Sequence, residues 1–93
     1  MAFEIILSDR AFSDLEEIAD ETESGERLAR EVLRKIRCLE TEPRVGEVLK
    51  RQGDPDYRTL LHSPYKILYE VSDRDRTVTI CRFWHVSRGA PQF

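Results

Sequence analysis

Five side chains in the second half of the sequence are the best suited to chemistry: Arg58, Lys66, Arg82, His85 and Arg88. Cleavage of RNA through its 2′-hydroxyl needs a base for that hydroxyl, cations for the developing charge and an acid for the leaving oxygen. His85 could transfer the proton, the four basic side chains could hold the charge, and Glu47 is a more remote candidate base. Simpler interpretations also stand. Arg58 could pair with a helix carboxylate, and His85 could only hydrogen-bond loop backbone at a strand end.

The tryptophan and the two cysteines can also be explained by structural roles alone. Trp84 suits a core or interface anchor, because its ring is large and apolar and its N–H needs a partner. Cys38 and Cys81 are expected to be reduced and at least partly buried, as thiols in reducing compartments usually are. Two cysteines and two histidines without paired spacing match no zinc pattern. We therefore expect no metal and no cofactor.

The charge is unevenly distributed along the chain. Residues 1–42 carry 12 acidic and 6 basic side chains, whereas residues 43–93 carry 6 and 9, for a net charge of −3. A basic second half could face phosphates or an acidic partner, although folding could also mix these charges into an ordinary surface. The acidic total counts against simple non-specific binding of RNA or DNA.

Length and hydropathy narrow the class of protein. A chain of 93 residues is expected to form one domain over residues 1–93. No stretch approaches the ~20 apolar residues that a membrane span requires. The first residues lack the basic and long apolar regions of a signal peptide, so we expect a cytoplasmic protein.

The first half of the sequence predicts a strand and two helices. Residues 3–7 are apolar and β-prone, and Ser8 could cap a helix over residues 9–22. Apolar residues at helical spacing, from Ala11 to Ala19, define its buried face. The opposite face, which includes Asp14, is expected to face solvent. A second amphipathic helix follows Ser24-Gly25 and stops before Pro43.

The second half predicts strands. Residues 44–55 look irregular, with Val48 and Leu49 pinning the loop to the core. Residues 57–61, 65–71 and 77–84 are β-prone and separated by short turns, which favours an antiparallel meander, and the tail from residue 86 is expected to be loop. The predicted fold is α+β with the order β-α-α-β-β-β, a helical hairpin packed on one face of a small antiparallel sheet.

This order and several segments resemble the RelE/ParE toxin superfamily. The segments are Leu15-Glu16-Glu17-Ile18-Ala19-Asp20, Glu42-Pro43-Arg44-Val45-Gly46, Tyr57-Arg58-Thr59-Leu60, Tyr65-Lys66-Ile67-Leu68-Tyr69-Glu70-Val71, and a last strand that ends in His85-Val86-Ser87-Arg88. Together they span nearly the whole chain. The resemblance implies the toxin of a bacterial type II, plasmid-stabilisation-like module, neutralised by a cognate antitoxin whose C-terminal segment wraps the toxin.

The superfamily offers two activities. RelE-like members cut mRNA in the ribosomal A site, and ParE-like members lack a complete nuclease set and poison DNA gyrase. Lys66 stands where many RelE-like enzymes have an arginine, and a lysine cannot bind a phosphate in the bidentate way that arginine does. No tyrosine follows Arg88. The H-x-x-R ending, the few basic residues and the acidic charge favour the ParE-like interpretation. The alternatives are an mRNA endonuclease or a degenerate binding module.

The resemblance also suggests which residues meet a partner. Late arginines in this family often contact the target or the antitoxin. The candidates for target or antitoxin binding are therefore Arg58, Arg82, Trp84, His85 and Arg88.

Overall fold

The computed structural model describes residues 2–21, 23–51 and 56–89, with the backbone alone at residues 50 and 51. The elements are β1 (Glu4–Leu7), α1 (Asp9–Glu21), α2 (Gly25–Ile36), β2 (Glu47–Arg51), β3 (Asp56–His62), β4 (Tyr65–Ser72) and β5 (Thr77–His85). Short 3-10 turns follow α2 at Arg37–Glu40 and β5 at Val86–Arg88. Within the described residues, no helix is long and apolar enough to span a bilayer.

The five strands form one sheet in the order β1-β5-β4-β3-β2. Strands β2 to β5 pair antiparallel, and β1 lies parallel to β5 at the opposite edge from β2. Both helices contribute to the same buried cluster as one face of the sheet. The α+β class and the helical hairpin on one sheet face are thus confirmed.

Two details of the predicted sheet are wrong. The segment predicted as an irregular loop contains β2, and its remaining residues 52–55 lie outside the described part. A bulge between Val48 and Lys50 breaks the period-2 alternation from which a strand is recognised. The sheet is also mixed, because β1 pairs parallel with a strand some seventy residues away. Local periodicity indicates a strand but not the direction of its distant neighbour.

The helices begin as the sequence predicts. Ser8 Oγ accepts a hydrogen bond from the Ala11 N–H at 3.1 Å, which caps α1. Gly25 opens α2 where the two helices come close, since a Cβ there would lie 2.7 Å from the Ala19 carbonyl oxygen. Only glycine fits this approach, and it brings Ala29 and Val32 of α2 into the core beside Ile18 of α1.

The core lies between the helices and the inner face of the sheet. Its fully buried members include Val32, Leu39, Ile67, Val71 and Ile80. They come from the second helix, the turn after it and the neighbouring interior strands β4 and β5. Helices and sheet therefore share one continuous apolar layer.

Three side chains that the sequence predicted to be buried are exposed. Val48 and Leu49 were expected to pin their loop to the core, yet they are 47% and 42% exposed because β2 is an edge strand. Cys38 is exposed, since it lies on the solvent side of the turn after α2, whereas Cys81 on β5 is partly buried as expected. Both thiols are free, as predicted.

Candidate functional site

Arg58 lies inside the protein and holds the segment that precedes β2. Its guanidinium contacts Asp56 Oδ1 at 3.4 Å and donates to the carbonyl oxygens of Arg44 at 3.1 Å and Gly46 at 2.9 Å. The Gly46 N–H donates to the hydroxyl of the fully buried Tyr69 at 2.9 Å. The three segments that contain Gly46, Arg58 and Tyr69 therefore meet in one network, which we call the Arg58 clip. Arg58 is 7% exposed, so it forms part of the scaffold rather than the surface.

The other candidate residues divide between the two faces of the sheet. Ile67 pairs with Phe83, and both belong to the core on the helix side. Successive side chains on a strand point to opposite faces. The pair Tyr65–His85 therefore lies on the helix side, while the pair Lys66–Trp84 lies on the open side. Two catalytic candidates, His85 and Lys66, are thus separated by the sheet.

His85 is already engaged by the turn that follows it. Its Nδ1 accepts a hydrogen bond from the Ser87 N–H at 3.1 Å and lies 2.7 Å from the Ser87 hydroxyl. The ring also meets Tyr65 edge-on, with centroids 5.1 Å apart. Accepting from a backbone N–H requires the lone pair on Nδ1, so the neutral ring carries its proton on Nε2. His85 here caps the 3-10 turn at Val86–Arg88.

Arg82 is held by a carboxylate of α1. Its Nε and Nη2 contact Asp14 Oδ2 and Oδ1 at 2.8 and 3.1 Å, and the same Oδ2 accepts the Phe83 N–H at 3.1 Å. The hydrogen bonds to Asp14 raise the pKa of Arg82 above its ordinary value. Asp14 is 8% exposed, so its assignment to the solvent face of α1 is wrong. It lies three residues after Ala11 and four before Ile18, which is the buried stripe of the helix.

The end of β1 explains why β5 needs these partners. The last β1 residue, Leu7, pairs with Ile80, so β5 continues without a strand on that side. The Ser8 N–H donates to the Ile80 carbonyl and the Ser8 hydroxyl to the Cys81 carbonyl, both at 3.0 Å. Together with Asp14, these bonds satisfy an edge that would otherwise be unpaired. A register shift between Leu68 and Tyr69 marks a bulge at this point of β5.

Trp84 lies on the open side of the sheet, with two guanidinium groups near its ring. The Cζ atoms of Arg82 and Arg88 are 5.1 and 5.9 Å from its ring centroid, within cation–π range. The indole N–H donates to the Gly89 carbonyl at 3.2 Å. These contacts fix the ring while leaving it partly exposed.

A concavity of about 640 Å³ opens beside this ring. We call it the Trp84 concavity, and its lining residues are Ser8, Arg10, Tyr57, Glu70, Cys81, Arg82, Trp84 and Arg88. The Glu70 carboxylate raises the pKa of Tyr57 above its ordinary value. The sequence singled out Arg82, Trp84 and Arg88, and missed Arg10, Tyr57 and the supporting Asp14. Of these, only Asp14 had a signal, an acidic residue within an apolar helical stripe.

Two further surfaces could receive ligands. A polar cleft of about 210 Å³ on the helix side is lined by Glu17, Glu21, Tyr65, His85 and Arg88 among others. An apolar groove between the two helices is lined by Phe12, Leu15, Glu16, Ala19, Glu26, Ala29 and Arg30. Phe12 is 54% exposed there, so the groove presents a large apolar side chain to solvent. Among the described residues, no group of three His, Cys, Asp or Glu side chains could hold a metal ion.

The sequence and the fold resemble those of known proteins. A family model described as the ParE toxin of the type II toxin–antitoxin system parDE matches residues 5–89. Comparison with curated protein sequences found no match.

Three solved structures share the fold. The toxin–antitoxin complex RelBE2 from Mycobacterium tuberculosis is 25% identical, with a TM-score of 0.68 over 91% of this chain and 99% of that one. The chromosomal ParDE system of P. aeruginosa is 16% identical, with a TM-score of 0.71 over 90% and 96%. The archaeal RelE–RelB complex from Pyrococcus horikoshii is 20% identical, with a TM-score of 0.76 over 98% and 100%. The chain belongs to the ParE toxin family of type II toxin–antitoxin systems, within the RelE/ParE superfamily.

Proposed function

We propose that this toxin inhibits DNA gyrase by binding it through the Trp84 concavity, without a catalytic step. The observation that carries the proposal is the separation of the nuclease candidates. His85 lies on the helix side with Nδ1 engaged by Ser87, Lys66 lies on the open side, and Arg58 is enclosed in its clip. General acid–base catalysis requires its groups within hydrogen-bond reach of one reacting atom. Residues so distributed favour binding over cleavage.

The Trp84 concavity has the features of a protein-binding surface. Tryptophan and arginine are the residue types most enriched among interface hot spots, and hot spots cluster in pockets that a partner can dehydrate. Trp84 is fixed by Arg82, Arg88 and the Gly89 carbonyl, so little side-chain freedom would be lost on binding. Such a target places the toxin in the cytoplasm.

A cognate antitoxin is the second proposed partner. The groove between α1 and α2 presents Phe12, Leu15, Ala19 and Ala29 as an apolar strip. An amphipathic helix could lay its apolar face there, with Arg30 and Glu26 at the rim. The solved relatives named above are themselves toxin–antitoxin complexes, which supports such a partner. We expect the antitoxin to raise the melting temperature of the toxin by mass action.

The test compares two activities of the purified toxin. In one arm, DNA gyrase supercoils a relaxed plasmid with the toxin present. In the other, programmed ribosomes are probed for cleavage of mRNA in the A site. We expect loss of supercoiling and intact mRNA. Arg88→Ala should weaken gyrase inhibition, whereas Arg27→Ala, which changes an exposed arginine of α2 paired with Glu31, should not.

The opposite result is equally clear. A-site cleavage that disappears with His85→Ala would contradict the proposal and establish an mRNA endonuclease. General acids and bases contribute ~10²- to 10⁴-fold, so that loss would be unmistakable. If the protein acts on neither gyrase nor the ribosome, it is a binding module without toxicity.

A further inference from the structure

We infer that Asp14 is a positioning residue for the Trp84 concavity. Its carboxylate, supplied by α1, fixes the guanidinium of Arg82 beside the indole and thereby sets the surface that a target meets. That a target meets this surface rests on the proposed function. The arrangement of Asp14, Arg82 and Trp84 does not.

The contacts of Asp14 support this role. Both of its oxygens bind Arg82, in the bidentate geometry that fixes a planar guanidinium in orientation as well as in place. The third hydrogen bond, from the Phe83 N–H, anchors the carboxylate to the β5 backbone. The side chains of Arg82 and Asp14 are 12% and 9% exposed, so the pair is largely shielded from water and salt. Arg82 is thus held from behind while one face remains over Trp84.

The ion pair with Asp14 gives Arg82 a different role from the other arginines of the concavity. Arg82 has its charge matched by Asp14, so it serves mainly as a platform for the indole. Among the described residues, Arg10 and Arg88 form no ion pair within 4 Å, and they remain available to a carboxylate of the target. The chemistry that fits is an acidic protein segment bearing an apolar side chain for Trp84.

Trp84 is the one tryptophan of the sequence, so its fluorescence and near-ultraviolet circular dichroism report on this contact directly. Asp14→Asn keeps the size of the side chain and an acceptor for the Phe83 N–H but removes the charge. We expect its emission to shift to the red and its indole dichroism to weaken, approaching the spectra of Arg82→Ala. The matched control is Asp73→Asn, which breaks a second bidentate aspartate–arginine pair, with Arg44, in the turn before β5. That variant should keep the Trp84 spectra of the wild type.

A second variant keeps the test decisive if Asp14→Asn folds poorly. Arg82→Lys retains the charge and leaves Asp14 in place, but lysine has no planar fork to lie against the ring. It should show the same red shift. Folded Asp14→Asn or Arg82→Lys protein with wild-type Trp84 spectra would overturn the positioning role.

The functional arm is a double-mutant cycle read out as gyrase inhibition. Residues that act through one contact are strongly non-additive. We expect Asp14→Asn and Arg82→Ala each to weaken inhibition roughly tenfold and the double variant to be no weaker than either, a coupling of ordinary size for contacting residues. Additive losses would contradict the inference. If the wild-type toxin does not inhibit gyrase while the Trp84 spectra respond as expected, the proposed function fails and the positioning role stands.

Discussion

Arg58 and Arg82 each pair with a buried aspartate, yet the rest of each guanidinium is used differently. In the Arg58 clip, the donors left over from Asp56 bind the carbonyl oxygens of Arg44 and Gly46, so the whole group is enclosed. Arg82 uses its Nε and Nη2 on Asp14 and keeps a face over Trp84 at the open concavity. The ion pair alone does not show whether an arginine belongs to the scaffold or to the binding surface. The groups that surround its remaining donors and its faces decide this.

The difference separates stability from function. A group enclosed among backbone carbonyls acts on the fold, because removing it leaves buried acceptors without donors. A group that is held from behind and lies with one face against a partly exposed aromatic ring acts on what binds at that ring. The Arg58 clip is therefore expected to govern stability, and the Asp14–Arg82 pair to govern recognition.

The largest expected effect comes from breaking the clip. Arg58→Met keeps an apolar stem but strands two carbonyl oxygens and deprives Asp56 of one partner, although Arg44 remains beside it at 3.3 Å. We expect a loss of about 3 kcal/mol in the free energy of unfolding, at the lower end for a broken buried pair. Arg82→Met combined with Asp14→Asn should lose less, because it removes both charges of the other buried pair and leaves no carbonyl unpaired. Urea denaturation of the two variants measures both, and equal losses would remove the distinction.

The sequence predicted the elements whose signal is local. Both helices followed from apolar spacing and from Ser8, and strands β3 to β5 from β-prone runs separated by turns. The bulge in β2 concealed its alternation, and the parallel partner of β1 depends on residues far away along the chain. The strand β2 and the parallel direction of β1 therefore depend on tertiary pairing, which the local sequence pattern does not contain.

The candidate site was predictable only in part, for a similar reason. Trp84, Arg82 and Arg88 were recognisable from residue type near the end of a strand. That His85 and Lys66 fall on opposite faces depends on the register of β4 against β5, which no single segment reveals. Arg58 looked like a surface cation because its partners, the carbonyl oxygens of Arg44 and Gly46, are backbone atoms and leave no signature in the sequence.

A smaller effect is expected from the second anchor of the clip. Tyr69→Phe removes the hydroxyl that accepts the Gly46 N–H at a fully buried position. An unsatisfied buried donor costs about 2 kcal/mol, so the unfolding midpoint should fall clearly. Tyr65→Phe is the matched control on the same strand. Tyr65 lines the polar cleft, and no hydrogen bond of its hydroxyl is seen within the described part of the chain, so its loss should be slight. A comparable decrease in both variants would argue against the clip.

The smallest expected effect concerns Cys81, which lines the Trp84 concavity but does not take part in its ion pair. Burial, together with the Glu70 carboxylate, raises the pKa of this thiol from 9.0 to about 11. The unfolded chain therefore loses the proton first, and stability falls as pH rises from about 9 to about 11. Buried tyrosines contribute in the same direction, so the effect is isolated by comparing wild type with Cys81→Ala, in which those tyrosines remain.

Over that interval we expect the wild type to lose about 1 kcal/mol more stability than Cys81→Ala, since one pKa unit corresponds to about 1.4 kcal/mol and partial exposure reduces the full shift. Cys38→Ala, which removes the exposed thiol, is the matched control. Thiol labelling provides an independent check on the native protein. Cys38 should react quickly at pH 8 and Cys81 only after denaturation, since the thiolate is the reactive species. Fast native labelling of Cys81 would show that this side of the concavity is open to solvent, and would contradict the raised pKa.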